Sequence, residues 1–263
     1  MHKTIRNILQ KSRHFLERKG YSINPIDSTC WEDQRSLLRD LKISNVVDVG
    51  ANVGLVAQKY RKLFPTARIV CVEPIKELAE QVRVNCPTAN VHQIALSAND
   101  GEADFHINAS RDTSSLLMSD LESIPSSYAE IQREIGVRKI PTRKLDTLAA
   151  ECNIEQISVL KMDIQGGELA ALEGASNLLR NANIDIIYTE VFFLPFYINQ
   201  PLFGDLLSRL AEDKYALHGI YNYGFSGRSG KLQWADAIFV APHVVSNSRD
   251  LLRDSIRSKR DLA

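Results

Sequence analysis

Residues 46–54 read Val46-Val47-Asp48-Val49-Gly50-Ala51-Asn52-Val53-Gly54. A β-branched run passes directly into a turn of small residues and then into an amphipathic stretch, which is the pattern of strand, turn and helix. Gly50 permits a tight turn and a close approach of backbone to a ligand, and Gly54 permits close packing of the following helix. The spacing is Gly-x-x-x-Gly, not the Gly-x-Gly-x-x-Gly of dinucleotide folds. Asp48, one turn ahead, would repel a pyrophosphate and suits a cationic ligand such as an ammonium or sulfonium group.

Outward from this turn, short apolar runs alternate with helical stretches. The strands are expected at Asn45–Val49, Ala67–Glu73, Val91–Ser97, Ile157–Ile164, Asp185–Phe192, Tyr215–Tyr221 and Ala235–Ala241. Helices are expected at Val53–Phe64, Ile75–Asn85, Gly167–Arg180 and Leu202–Asp213. Strands that are apolar throughout, alternating with helices, predict an α/β doubly wound sandwich around a mainly parallel sheet. Asn99-Asp100-Gly101 is a hairpin signal, so Ala103–Asn108 is expected to return antiparallel or to extend the sheet edge. Residues 109–139 show no clean strand and suit a mobile flap over a site. The expected organisation is an N-terminal helical extension at 1–42, one domain at 43–242 and a helical or frayed tail at 243–263.

Composition narrows the function classes. Among 263 residues, 32 Lys+Arg balance 32 Asp+Glu, which removes the broad electrostatic reason to expect nucleic acid as a partner. Cys30, Cys71, Cys86 and Cys152 form no Cys-x-x-Cys pair, so reduced thiols are the simplest reading and neither a zinc knuckle nor a disulfide scaffold is expected. No run approaches the ~20 apolar residues of a membrane span. A soluble, cytoplasmic protein is therefore expected. The first twenty residues are basic through Lys3, Arg6, Lys11, Arg13, Arg18 and Lys19. They suit a solvated helix packed against the domain, a surface for an anionic partner or membrane, or the interface of a homo-oligomer.

Ile69-Val70-Cys71-Val72-Glu73-Pro74 ends a strand in an acid 25 positions after Asp48. At that distance a carboxylate can accept both hydroxyls of a ribose, and Pro74 suits the start of a helix. Taken in order, Asp48–Gly54, Val72-Glu73-Pro74, Ala95-Leu96-Ser97 before the Asp-Gly turn, Leu145-Asp146, Lys161–Glu168, Glu173-Gly174-Ala175 and Glu190-Val191-Phe192 followed by Tyr197 resemble the FkbM family of S-adenosylmethionine-dependent methyltransferases. The resemblance covers roughly residues 45–241. It implies a Rossmann-like class I sandwich whose mainly parallel seven-stranded sheet has its last strand antiparallel, with N-terminal helices added. It further implies O-methylation of a saccharide or secondary metabolite, with S-adenosylmethionine as cofactor. By the same resemblance Asp48, Gly50, Asn52 and Gly54 line the methionine end, Glu73 holds the ribose and Ser97 lies near the adenine, with Ala51, Pro74 and Asp163 also among the cofactor-binding residues. Gln165 stands where the family pattern has Glu, which removes a charge beside the site.

The acceptor side leaves alternatives open. Asp163 ends the fourth main strand and Glu190 the fifth, so in a doubly wound sheet both point to the same carboxyl edge as the cofactor. In one reading Asp163, Glu168 or Glu190 is the general base for the acceptor hydroxyl. In the other, Asp163 and Glu190 hold a divalent ion, Mg²⁺, that lowers the hydroxyl's pKa. Glu168 equally suits the first turn of a helix. His218 is a further candidate base, and Tyr197, Tyr221, Tyr223 and Trp234 either floor a pocket or fill core. Two rival functions stand beside the transferase: a non-catalytic cofactor-binding subunit on the same fold, and a nicotinamide oxidoreductase. No Tyr here has Lys four positions on, which disfavours the latter.

Overall fold

The computed structural model describes residues 29–225 and 230–245. Expectations for residues 1–28, for the loop centre at 226–229 and for the tail from 246 onward lie outside the described residues. The chain divides into two compact units, Met1–Asp33 and Gln34–Ala263. Within the N-terminal stretch expected to be helical, α1 spans Cys30–Leu37.

Among the described residues, seven strands form the main sheet: β1 (Asn45–Val49), β2 (Arg68–Val72), β3 (Asn90–His92), β7 (Ile157–Met162), β8 (Ile184–Phe192), β9 (Ala216–Phe225) and β10 (Leu232–Val240). Their order is β3-β2-β1-β7-β8-β10-β9. β1 pairs in parallel with β2 and β7, and β7 with β8, while β10 runs antiparallel to both of its neighbours. The Rossmann-like sandwich, with a single antiparallel strand reached last in the chain, is as expected. Every residue of β7 is buried, as are four of the five in β1. Val47 lies between Val70 and Leu160, and Leu160 lies beside Ile187. Each such buried aliphatic side chain stabilises the fold by about 1.5–3 kcal/mol.

Helices α2 (Leu55–Leu63), α3 (Lys76–Asn85) and α8 (Phe203–Glu212) match their expected positions to within two residues. The single helix expected over 167–180 is two, α6 (Glu168–Glu173) and α7 (Ser176–Arg180). The break has a cause. At Gly174 the chain crosses the Ser97 carbonyl so closely that a Cβ would sit 2.2 Å from that oxygen. The Asp146 carboxylate then accepts the Asn177 and Leu178 N–H groups at 2.9 and 3.1 Å, capping α7 from across the fold. Asp146 itself belongs to α5 (Leu145–Glu151).

Two further expectations need correction. The strand expected over 91–97 is split into β3 and β4 (Ala95–Leu96), which belong to different sheets. β5 (Gly101–Asn108) does return antiparallel, but its partner is β6 (Glu134–Arg143), which also pairs in parallel with β4. β6 falls largely inside the stretch read as strandless. Its exposed Arg138 and Lys139 hide the strand pattern, and the ladder with β5 makes the strand regardless.

Candidate active site

A cavity of about 260 Å³ opens where β1, β2, β7 and β8 end. This is the switch point of a doubly wound sheet, where helices leave on opposite faces and the strand ends splay into a crevice. It is lined at one end by residues close together in sequence and at the other by residues that are far apart.

The first end is built on the glycine turn. Gly50 has φ +70° and donates its N–H to the Val72 carbonyl at 3.0 Å; a Cβ there would stand 1.9 Å from the Asp163 carbonyl oxygen. Only glycine fits. Ala51 donates to the same Val72 oxygen, and Gly54 (φ +84°) brings the start of α2 against Val82 of α3. Asn52 donates its backbone N–H to Glu73 Oε2 at 2.8 Å, while Glu73 Oε1 accepts the Ile75 N–H at 2.9 Å. Both oxygens are thus held by one N–H each, which leaves acceptor capacity facing the cavity. Burial pushes the Glu73 carboxyl up to about 7, against the pull of those two N–H groups. Beyond it, Ile75, Leu78, Ala95, Leu96 and Phe105 make an apolar slot. Ser97 is not among the lining residues, and its N–H goes to the Arg143 carbonyl. Ser97, expected near the adenine, therefore lies outside the cavity, next to Leu96, which lines it. The slot residues of α3 and β5 carry no motif, and only Leu78 on the buried stripe of α3 could have suggested them.

Asp48 also differs from its expected place. It is fully buried under the turn, outside the cavity lining, and the cation it meets is Lys161, with Nζ 3.1 Å from Oδ1. Lys161 Nζ donates in addition to the Gly50 carbonyl at 3.0 Å and stands 4.0 Å from Asp163 Oδ2. Burial pulls the Lys161 ammonium down, and the Asp48 and Asp163 carboxylates outweigh it, raising it above its ordinary value. The pair pins the turn from below.

At the second end Asp163 and Glu190 come together, joined by Gln165. The Gln165 amide nitrogen lies 3.0 Å from Asp163 Oδ1 and 2.7 Å from Glu190 Oε2, and its Oε1 lies 2.8 Å from the Tyr197 hydroxyl. Burial, reinforced by Asp163, Glu168 and Asp236, pushes the Glu190 carboxyl well above the usual carboxylate range. Tyr128, Phe192, Phe196 and Trp234 wall this end. Tyr197 is fully buried behind Gln165 and Tyr223 is half exposed, so of the four aromatics left open by the sequence only Trp234 lines the cavity.

The remaining candidates do not join them. Glu168 is buried outside the lining and accepts the Ile164 N–H at 2.9 Å, closing the turn before α6; burial pushes it up to about 7. It serves the helix start, not the cavity. His218 is exposed on β9, the edge strand beyond β10, and is absent from the lining. Among the described residues no three His, Cys, Asp or Glu side chains converge as a metal site. The donor set agrees with this: an amide nitrogen aims its hydrogens at the oxygens of Asp163 and Glu190 that a cation would need. These residues do not fit Mg²⁺.

The stretch expected as a mobile flap is a tied cover. Asn52 donates to Asp112 Oδ1 at 2.6 Å, Ser115 Oγ to the Gln165 carbonyl at 2.8 Å, and the Tyr197 hydroxyl lies 2.8 Å from the Thr113 carbonyl. Arg111, Asp112, Thr113, Ser114 and Gln132 line the cavity from this cover. No helix among the described residues is long and apolar enough to cross a membrane.

Comparison with known proteins places the chain. The model of the methyltransferase FkbM domain matches residues 48–217. The 2-O-methyltransferase NoeI of Sinorhizobium fredii (strain NBRC 101917 / NGR234) is 30% identical over 152 residues, which cover 55% of this chain and 62% of that protein. Methyltransferase 1 of Beauveria bassiana is 22% identical over 144 residues, 50% of this chain and 58% of that one. The chain thus spans less than two thirds of the length of these curated relatives. Among solved structures, magnesium protoporphyrin IX methyltransferase from Synechocystis PCC 6803 aligns over 88% of this chain and 96% of its own, at 8% identity and a TM-score of 0.41.

Proposed function

The chain belongs to the FkbM methyltransferase family, and from that premise we propose that it transfers a methyl group from S-adenosylmethionine to a hydroxyl of a saccharide or secondary metabolite. The observation that carries this reading is the acidic lining of the cavity: the side chains of Glu73, Asp112, Asp163 and Glu190 stand against the single guanidinium of Arg111, and a bound cation favours the ionised forms of Glu73 and Glu190, which burial alone disfavours. Such a lining suits a sulfonium cation and disfavours the pyrophosphate of a nicotinamide cofactor. The O-methyl assignment is further supported by the likeness to NoeI.

The residues present fit the cofactor. When bound, it supplies a methyl group already activated on sulfur. Glu73, held rigid by two backbone N–H groups, is placed to accept from the ribose hydroxyls. The slot of Ile75, Leu78, Leu96 and Phe105 is apolar and suits a purine face. Gly50, without a Cβ, lets the turn backbone come close. Glu190, half-buried and with its carboxyl raised well above the usual range, is the stronger base when ionised and takes the acceptor's hydroxyl proton on a carboxylate oxygen, with Asp163 beside it. Trp234, Phe192 and Phe196 exclude water and offer flat apolar faces to the acceptor ring.

Calorimetric titration with S-adenosylhomocysteine, with NAD as the control ligand, tests the reading. Micromolar affinity for the first and none for the second is expected. Affinity for NAD alone would replace the transferase with an oxidoreductase.

A further inference from the structure

Gln165 is fixed at three points. Its backbone takes the left-handed conformation (φ +57°), a state that costs a residue other than glycine about 1–3 kcal/mol. The Ser115 hydroxyl holds it there through the Gln165 carbonyl at 2.8 Å. Its amide oxygen faces the Tyr197 hydroxyl at 2.8 Å, and Tyr197 is fully buried. The nitrogen is left facing the two carboxylates, at 3.0 Å from Asp163 and 2.7 Å from Glu190. The Tyr197 hydroxyl, whose single hydrogen is shared between the Gln165 amide oxygen and the Thr113 carbonyl at 2.8 Å each, and the strained backbone together favour this aim of the amide.

Two carboxylates brought to one place repel each other, and proteins relieve this with a shared proton, a cation or a shared hydrogen-bond donor. Here a donor stands between them, while the Asp163 charge still helps to raise the Glu190 carboxyl. The Gln165 NH₂ has two hydrogens and spends one on each acid. We propose that Gln165 is a positioning residue of the transfer, whose amide takes the place of a bridging divalent cation and presents Asp163 and Glu190 together as the proton-accepting pair. The proposal rests on the reading of this cavity as the methyl-transfer site. It makes the reaction independent of Mg²⁺ for a stated reason, and it assigns that independence to one atom, Nε2 of Gln165.

Gln165→Glu reverses the device while keeping size and shape, since a third carboxylate then stands where the donor was. The measurement is a titration with Mn²⁺ followed by electron paramagnetic resonance of the free ion, on the purified full chain without acceptor. Wild type is expected to show no site sensitive to Asp163→Asn. Gln165→Glu is expected to gain a site at least about tenfold tighter than any wild-type site, as added carboxylate oxygens favour a hard cation. That gain is expected to vanish in the double variant Gln165→Glu/Glu190→Gln. A folded Gln165→Glu protein, checked by circular dichroism, that gains no site would overturn the proposal. So would an Mn²⁺ site in wild type that Asp163→Asn removes, a result that needs no Gln165 variant to fold. Neither titration involves a nucleoside, so failure of the proposal is separable from failure of S-adenosylhomocysteine to bind.

Discussion

The two ends of the cavity are built by different means. The end with Glu73 is made of consecutive backbone: Gly50, Ala51 and Asn52 on one turn, then Glu73, Pro74 and Ile75 on the next, bonded N–H to carbonyl and N–H to carboxylate. The end with Glu190 is made of side chains drawn from β8, β10, the Asp163–Gly167 turn and the cover around 111–132. The first end is rigid because main-chain geometry fixes it. The second depends on side chains that a single substitution can re-aim.

The largest expected effect falls on the backbone end. Gly50→Ala would drive a methyl group into the Asp163 carbonyl at positive φ, and we expect a stability loss of about 4 kcal/mol or more in urea unfolding, with loss of S-adenosylhomocysteine binding. Gly204→Ala is the matched control. Nothing lies within 4 Å of its Cβ position, in the first turn of α8, and stability should hold or rise by up to about 1 kcal/mol. Equal losses at the two glycines would erase the contrast.

Next is the ion pair beneath the turn. Asp48→Ala strips a buried ammonium of its partner, and the expected loss is about 3–5 kcal/mol of folding stability. A protein of unchanged melting temperature would show that Lys161 is satisfied by the Val49 and Gly50 carbonyls alone.

At the side-chain end the expectation inverts. Glu190→Gln should slow methyl transfer by about 10²–10⁴-fold while the fold and the affinity for S-adenosylhomocysteine persist. Turnover within threefold of wild type would remove Glu190 from proton transfer.

The smallest effect is graded with pH. Glu73 and Glu168 both rise from ordinary carboxyl values to about 7 in the folded protein. A raised acid favours the fold while protonated, so their contribution is full below about pH 4.5 and is lost as pH climbs through 7. Stability should therefore fall across that window, and Glu168→Gln should flatten its share of the slope. If Glu73 accepts from the ribose hydroxyls as proposed, its ionised form binds best, so affinity for S-adenosylhomocysteine should tighten by up to about tenfold per pH unit below 7 and then level off. Glu168→Gln should keep that dependence and Glu73→Gln should abolish it. Calorimetry from pH 5 to 8 distinguishes them.

The same contrast explains what could be read from the sequence. Most strand and helix positions and the Gly50 and Glu73 turns follow from local patterns, because a β-branched run ending in small residues has few folded outcomes. The acceptor end was only half legible: Asp163 and Glu190 stand out as strand-end acids, but their bridge through Gln165 depends on Tyr197 and Ser115, which no local pattern links to it. Asp48 misled because a strand-end acid looks the same whether it faces a ligand or a buried lysine, and Lys161 is over a hundred residues away. His218 misled because an apolar strand hides whether it is central or at the edge, and β9 is the edge. β6 was missed because its exposed charged residues look like loop until β5 pairs with it.

The most direct test of this division is a crystal structure of the protein with S-adenosylhomocysteine. We expect the ribose hydroxyls within hydrogen-bond distance of Glu73, the base in the slot beside Leu78 and Phe105, and the sulfur turned toward Asp163 and Glu190. A ligand bound with its ribose away from Glu73, or with its sulfur turned from the two carboxylates, would contradict it.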